Sequence, residues 1–401
     1  MDIFTLEHDG SSYKNGKVVN NLLKKQWVER YLEPGEFQLV ALPTDELREQ
    51  LAIGTLISHI DTEEVMVVED HQIEEKSGST PIFTITGRSL DAFIESRVAT
   101  DAGLGFNGKN NSGVAPKVLY DGTAWPYGFD NVTPPELAVK MVEQGLEYLK
   151  ATRTPFVVPD LAVSHNITTT YNSRYRDAQR GDLASQIQDI LGEIEAGIKT
   201  QRPNATPGSK HTNMKILIHK GVNKKATVRF SYDKGDVVDA KYFWSNREYR
   251  NAAYISTRYQ GLYLTLGSAE DATGLDLRVT FIDATDIDRA QSLSRYLEIR
   301  DLLETRAKRE LRKKKRERTL LEAKVSPLSQ YKYRKHYNIG DIVHVDGNYG
   351  VSSNMRVIEY VENDEGSGSI GIPTLEEVRT NDDSDLDIYT YQELGGTEFD
   401  A

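Results

Sequence analysis

The chain has 401 residues, with 49 Lys and Arg against 61 Asp and Glu, a formal net charge of −12 and no cysteine. The missing cysteines exclude disulfides, thiolate metal ligands and cysteine nucleophiles together, and fit synthesis in a reducing compartment. The acidic balance works against general attraction to nucleic acid or anionic membrane, no stretch reads as a membrane span, and the N-terminal MDIFTLEHDGSSYKNGK is acidic where a secretory signal would be basic and then apolar.

A chain of this length provides for roughly two to four domains. Residues 1–98 read as the first, a small β-barrel. In WVERYLEPGEFQLVAL, Pro34-Gly35 lies between two apolar alternations, with Pro setting φ and Gly supplying the positive φ of a type II turn, which predicts a hairpin. LAIGTLISHIDTEEVMVVEDHQIEE follows, turning at Asp61 to Glu64. TPIFTITGRSLDAFIESRV then supplies a strand, a turn at Gly87 and a short helix with Leu90, Phe93, Ile94 and Val98 on its apolar side. Residues 99–181 form a loop-rich and helical insert. Within it, 101–130 is rich in Gly and Asn and reads as an extended arm, and TPPELAVKMVEQGLEYLK is a helix with Thr133 and Glu136 at capping-box spacing and Pro134 at its first position.

Residues 182–285 read as an α+β domain. Leu183, Ile187, Ile190, Leu191 and Ile194 recur at helical spacing behind Asp182 as N-cap, with Gly197 near the C-terminal stop. The segments KILIHKG, ATVRFSY, NAAYISTRY, GLYLTLG and LDLRVTFIDA read as the strands which that apolar face covers. A long charged helix over 286–325, with Leu303, Ala307 and Leu311 among its apolar positions, leads to a second β-barrel segment over 326–377. Residues 378–401 are acidic and weakly periodic, which predicts a tail either disordered or draped on a partner. The fold class is therefore α+β and β-rich, with two related small β-barrels plus α+β domains.

The two barrels are inferred from a repeated pattern. LAIGTLISHIDTEEVMVVEDHQIEEK and HYNIGDIVHVDGNYGVSSNMRVIEYVENDEG each contain an Ile-Gly turn (Ile53-Gly54, Ile339-Gly340), a polar residue, a short β-branched run, an Asp, and a second apolar strand ending in acidic residues. Two related barrels in one polypeptide would leave this pattern, with Gly54 and Gly340 at equivalent turns.

The order of the larger motifs carries a resemblance. W-x-x-x-Y-x-E-P-G-E-F-x-L, G-R-S-L-D-A-F-I-E-S-R-V, FSYDKGDVVDAKYFWSNREYRNAAYI, a long charged helix, Y-N-I-G-D-I-V and M-R-V-I-E-Y-V follow one another over most of residues 25 to 375. In this the chain resembles the tail-hub, or minor tail, proteins of long-tailed bacteriophages, which are baseplate-hub-like and related to the N-terminal module of tail-associated lysins. The resemblance implies a non-enzymatic homotrimer in the virion tail tip, made in the host bacterial cytoplasm and free of cofactors. Each chain would give two barrels to a ring that closes the distal end of the tail tube. The implied partners are the chain itself, the tail tube or distal tail protein, the tape-measure protein, and tail-tip or fibre proteins, with DNA in transit and no membrane span.

Other chemistry finds little support. None of the eight His falls in a ligand spacing, so no metal site is expected. The clusters Asp61-Glu63-Glu64, Glu362-Asp364-Glu365 and Asp382-Asp383-Asp385 could offer a carboxylate pair for glycoside hydrolysis, but they fall in expected turns or tail, where solvated charge is the ordinary explanation. GLGFNG lacks the flanking strand and helix of a phosphate cradle, and LASQI lacks a nucleophile elbow. The basic run KRELRKKKRER over 308–318, centred on Lys313, Lys314, Lys315 and Arg316, has two readings. It could contact phosphate, making the chain a nucleic-acid-binding protein, or it could be a helix face docking on an acidic protein surface. The absence of interleaved aromatics favours the second.

Overall fold

In the computed structural model the chain divides into two units, Met1–Asp239 with Ala323–Glu376, and Ala240–Glu322 with Glu377–Ala401. The structure describes residues 1–8, 13–99, 133–150, 161–168, 181–202, 210–211, 214–241, 247, 249–256, 262–267, 275, 277–284, 303, 306–307, 310–311, 322–348, 352–365, 368–378 and 387–393.

The first unit opens with β1 (Ile3–His8), β2 (Tyr13–Val18), β3 (Leu22–Arg30), β4 (Glu36–Ala41), a short helix α1 (Asp45–Gln50), β5 (Leu56–His59), β6 (Met66–Glu74) and β7 (Ile82–Ser89). Alternation along these strands sends Ile3, Trp27, Phe37, Ile57, Met66 and Phe83 into one core. The expected β3–β4 hairpin forms, with Trp27 opposite Phe37. Gly35 does not sit at positive φ, however. It is required because a Cβ there would stand 2.4 Å from the Val28 carbonyl oxygen. Gly87 is likewise no turn residue. It lies within β7, where a Cβ would meet the Val67 carbonyl oxygen at 1.8 Å.

A 3₁₀ helix at Leu90–Ser96 and β8 (Val98–Ala99) lead towards α2 (Pro134–Lys150), β9 (Ala162–His165), β10 (Gly181–Asp182), α3 (Leu183–Ile194), β11 (Gly197–Gln201), β12 (Lys210–His211) and β13 (Lys215–His219). The Glu136 carboxylate accepts from Thr133 N at 2.8 Å and Thr133 Oγ1 at 2.9 Å, which starts α2 where the capping spacing predicts. Asp182 caps α3 by accepting from Ser185 N at 3.0 Å. That helix ends at Glu195, in the left-handed region with φ 51°. Gly197 is instead the first residue of β11, with Tyr31 too close to admit a side chain. Leu183, Ile187, Ile190 and Leu191 are buried and Ile194 is partly buried, against Ile198, Ile216 and Ile218 of the sheet β11-β13-β9 and against α2. The pattern predicts the apolar face of α3, but its partner is this local sheet and not the strands further along.

The remaining strands are β14 (Arg229–Ser231), β15 (Val237–Lys241), β16 (Ala252–Ser256), β17 (Leu262–Gly267), β18 (Val279–Asp283), β19 (Glu322–Val325), β20 (Ile342–Asp346), β21 (Ser352–Asp364), β22 (Ser369–Glu377) and β23 (Asp387–Glu393). The second unit holds the sheet β18-β16-β17-β23. The boundary at Asp239/Ala240 thus falls inside the segment 182–285 that reads in sequence as one α+β domain. Part of the expected tail is a strand, because the open side of β17 takes β23 antiparallel, Leu264 opposite Tyr391. The expected long helix is helical at Leu303, Ala307 and Leu311, all buried. It does not extend to 325, since β19 pairs Ala323 with Leu375. Arg306 and Glu310 are helical as well, and the rest of that segment, the arm 101–130, and residues 378–401 apart from Val378 and β23 lie outside the described residues.

The 14-stranded sheet of the first unit runs β12-β2-β1-β5-β6-β7-β4-β3-β21-β22-β19-β15, with β20 also paired to β21 and β14 to β20. This order does not return to its start, so no closed barrel is found among the described residues. The sheet instead contains one strand module twice. Strands β3, β4, β5, β6 and β7 stand in the order β5-β6-β7-β4-β3, and β15, β19, β20, β21 and β22 stand in the order β20-β21-β22-β19-β15. The chain between β15 and β19 is inserted where the first module has only its Pro34-Gly35 connection.

Candidate functional site

The candidate site is the joint between these modules, and its geometry begins with the repeated turns. Thr55 N donates to Ala52 O at 2.9 Å, and Asp341 N to Asn338 O at 3.1 Å. Gly54 N donates to Val68 O and Gly340 N to Val357 O, both at 2.8 Å, and the returning bonds, Val68 N to Thr55 O and Val357 N to Asp341 O, are both 3.0 Å. Gly54 has φ +91° and Gly340 φ +87°, the region a side chain resists. The strands that follow keep one register, Leu56 opposite Val67 and Ile57 opposite Met66 in one module, Ile342 opposite Arg356 and Val343 opposite Met355 in the other.

The modules are joined edge to edge. β3 pairs with β21 from Arg30 opposite Glu359 to Lys25 opposite Asp364. Charge follows the register, with Arg30 Nε 3.0 Å from Glu359 and Lys25 Nζ 3.3 Å from Asp364. Beneath the strands lies a buried ionic cluster. Arg334 donates to Glu29 at 2.8 Å and to Glu362 at 3.1 Å, and its Nη2 lies 3.2 Å from His59 Nε2. Thr62 and Tyr333 also donate to Glu29. Tyr333 stacks on Tyr360 with ring centroids 3.8 Å apart. Burial acts to raise the Glu29 pKa, but the Arg334 charge and these hydrogen bonds bring it down to about 2. Burial, assisted by Arg334, lowers His59 to about 3, so the imidazole is neutral.

A second group locks the first module to β11. Arg202, fully buried, donates to Ser58 Oγ at 2.8 Å and to the carbonyls of His59 and Thr62 at 2.9 and 2.8 Å. Glu64 accepts from Thr200 N at 3.3 Å, and Asp91 accepts from Ser89 Oγ and Thr200 Oγ1. Burial raises both carboxyls, Asp91 to about 6, and Glu64 is raised further by the charges of Asp91 and Glu29. A third contact seats Tyr31 against the second module, where Arg356 donates to Gly340 O at 3.0 Å and to Glu195 at 2.9 Å.

Among the sequence-selected residues, Gly54 and Gly340 occupy matching turns, and Lys313, Lys314, Lys315 and Arg316 lie outside the described residues, as do Asp382, Asp383 and Asp385. Glu64, Glu362 and Asp364, read as solvated, are buried, and the last two belong to β21. A paired register takes them inward, and Arg334 and Lys25 compensate their charge. Sequence reasoning missed Glu29, His59, Arg202 and Arg334. Glu29 carried a signal, since it shares the inward phase of Trp27 and Tyr31. Arg334, in an irregular segment, carried none. No group of residues suited to hold a metal ion occurs among the described residues, and no described helix is long and apolar enough to cross a membrane.

The β-rich fold of this chain is shared with solved tail proteins. The chain is similar to a 43 kDa tail protein of prophage MuSo2 from Shewanella oneidensis, at 14% identity and TM-score 0.58, covering 94% of this chain and 98% of that one. It is also similar to a tail protein from Neisseria meningitidis MC58 at 12% identity, TM-score 0.54 and coverage of 94% and 96%, and to prophage tail protein gp18 from Listeria monocytogenes EGD-e at 10% identity, TM-score 0.53 and coverage of 96% and 97%. No curated protein matches the chain. A family model matches residues 8–372, and the chain belongs to that family, the Siphovirus ReqiPepy6 Gp37-like proteins.

Proposed function

We propose that the chain is the structural hub protein of a bacteriophage tail tip, a homotrimer forming a ring that closes or caps the distal end of the tail tube and anchors other tail-tip proteins. The observation that carries this reading is the strand module present twice with one chain order and one sheet order. Three chains bearing two modules each present six similar units, which suits a sixfold tube. In this reading residues 1–98 and 326–377 contribute most of the two hub modules, and Gly54 and Gly340 are their equivalent turns. The partners are the chain itself, the tube or distal tail protein, the tape-measure protein, and tip or fibre proteins. DNA passes without specific binding, and Lys313 to Arg316 face protein.

The role is non-enzymatic and needs no cofactor. In support, Glu29, Glu64, Asp91 and Glu362 are buried and held by fixed protein partners, an arrangement suited to joining strands. Image reconstruction of assembled tails tests the proposal. Three copies at the distal end of the tube, each giving two modules to one annulus, are expected. Six identical copies in that ring, or copies distributed along the tube, would overturn it.

A further inference from the structure

We infer that the outer edge of β6, Glu69 to Glu74, is a strand-addition site for a second copy of this chain, filled by that copy's β15. The inference rests on the hub reading and names its subunit contact. On one side β21 is covered in two stages. Up to Val357 it bonds β20 and the Gly340 turn, and from Ile358 onward it bonds β3, beginning with Tyr31 N to Ile358 O at 2.9 Å. The matching strand β6 has only the first stage. Met66 and Val67 pair with β5 and Val68 with the Gly54 turn, after which β7 is the one strand that pairs with Asp70 to Glu74 among the described residues, the His71 ring also lying 2.7 Å from Leu51 O. With Val68 matched to Val357, the part of β6 that follows its register shift between Val68 and Asp70 stands where Glu359 to Asp364 of β21 receive β3.

The counterpart of β3 is β15, which has β19 on one side and no described strand on the other. Among the described residues each chain therefore carries one open acceptor edge and one open donor edge, of the two kinds already joined within it. Such a pair makes a head-to-tail contact that can close a ring.

The turns show the same asymmetry. Gly340 is roofed by the Tyr31 ring, 2.4 Å from where a Cβ would be, and Ile339 is 7% exposed. Gly54 has nothing within 4 Å of that point, and Ile53 is 68% exposed. A cleft of about 480 Å³ opens beside Gly54, lined by Leu6, Gln50, Thr55 and Val67 among others. Ile73 and Ile82, at the far end of the edge, are each 43% exposed. An open strand flanked by exposed apolar side chains is a surface that a partner covers.

The test uses the full-length chain and the double variant Ile53→Asp/Ile73→Asp. Sedimentation equilibrium should show the wild type associating and the variant associating roughly 100-fold or more weakly, because a carboxylate would be buried at each end of the contact. Both side chains are exposed in the single chain, so the variant should melt as the wild type does. Hydrogen exchange of the wild type should show the amides of 69–74 gaining protection on association, and this readout decides alone if the variant melts early. Unaltered association of a normally melting variant, or β6 amides that exchange freely in the associated species, overturns the contact and leaves the ring reading standing. A wild type monomeric at all concentrations also overturns it, while copy number in assembled tails judges the hub reading separately.

Discussion

Replacing Arg334 with Met would remove the cation shared by Glu29 and Glu362 while keeping an unbranched apolar stem in its place. The Glu29 carboxyl sits at about 2 instead of 4.5 although burial alone would raise it, and the Arg334 charge is the largest influence lowering it. That difference corresponds to about 3 kcal/mol of preference for the ionised form. Stripping the partner from a buried carboxylate costs roughly 3–5 kcal/mol. The variant should therefore lose roughly 3–5 kcal/mol at neutral pH, and less near pH 4, where the unpaired Glu29 takes up a proton. Arg334 also has φ 63°. Arg334→Gly accepts that backbone and should retain about 1 kcal/mol more than Arg334→Ala, which removes the same part of the side chain beyond Cβ. Urea unfolding followed by tryptophan fluorescence can measure this, since Trp27 lies 4.9 Å from His59 by ring centroids. In a cycle with Glu29→Gln, the double variant should lose less than the sum of the singles. A Met variant within about 1 kcal/mol of wild type at neutral pH, or an additive cycle, would refute the reasoning.

Acid should weaken the first unit over two ranges. His59, lowered to about 3, contributes fully above 6.5 and loses that contribution as pH falls from 6.5 through 3, while Glu29, lowered to about 2, contributes fully above 4.5 and loses it from there down to 2. In stability measured against pH, Glu29→Gln should flatten the lower range and, by removing a charge that raises His59, deepen the upper one. Asp91 has the opposite sign. Raised to about 6, it favours the fold below 3.8, and this is lost as pH rises through 6. Asp91→Asn should thus stabilise by on the order of 1–3 kcal/mol near pH 7.5 and have little effect near pH 4, and a loss near pH 7.5 would show that the charge itself is required. Gly54→Ala should cost roughly 1–2 kcal/mol from its φ alone. Gly340→Ala should cost more, because the Tyr31 ring fills the space, and equal losses in denaturant titrations would contradict the difference in surroundings. Ile187→Asp, at a helix position 2% exposed, should lower stability by roughly 3 kcal/mol or more, and wild-type melting would refute its packing.

Local chemistry was enough to predict the features that depend on neighbouring residues. The caps at Thr133 and Asp182, the apolar face of α3, the β3–β4 hairpin and the paired Ile-Gly turns each follow from side chains within a few positions of one another. Sequence by itself showed the two Ile-Gly patterns to be alike, but only the structure showed both glycines at positive φ, because Gly35 and Gly87, of the same residue type, are not. Only the tertiary structure decided where edges meet. Whether α3 covers the sheet of β11 or the strands after 229, whether β23 is tail or strand, and whether Glu362 is solvated or buried all depend on which open strand lies nearest in space. Arg334 shows the limit most directly, since its segment has no periodicity to read. The charge of Arg334 acquires a role only when β3 and β21, more than three hundred residues apart, pair and bring Glu29 and Glu362 under one guanidinium. Pairing between strand edges uses backbone groups that nearly every residue carries, so it leaves little trace in the order of side chains.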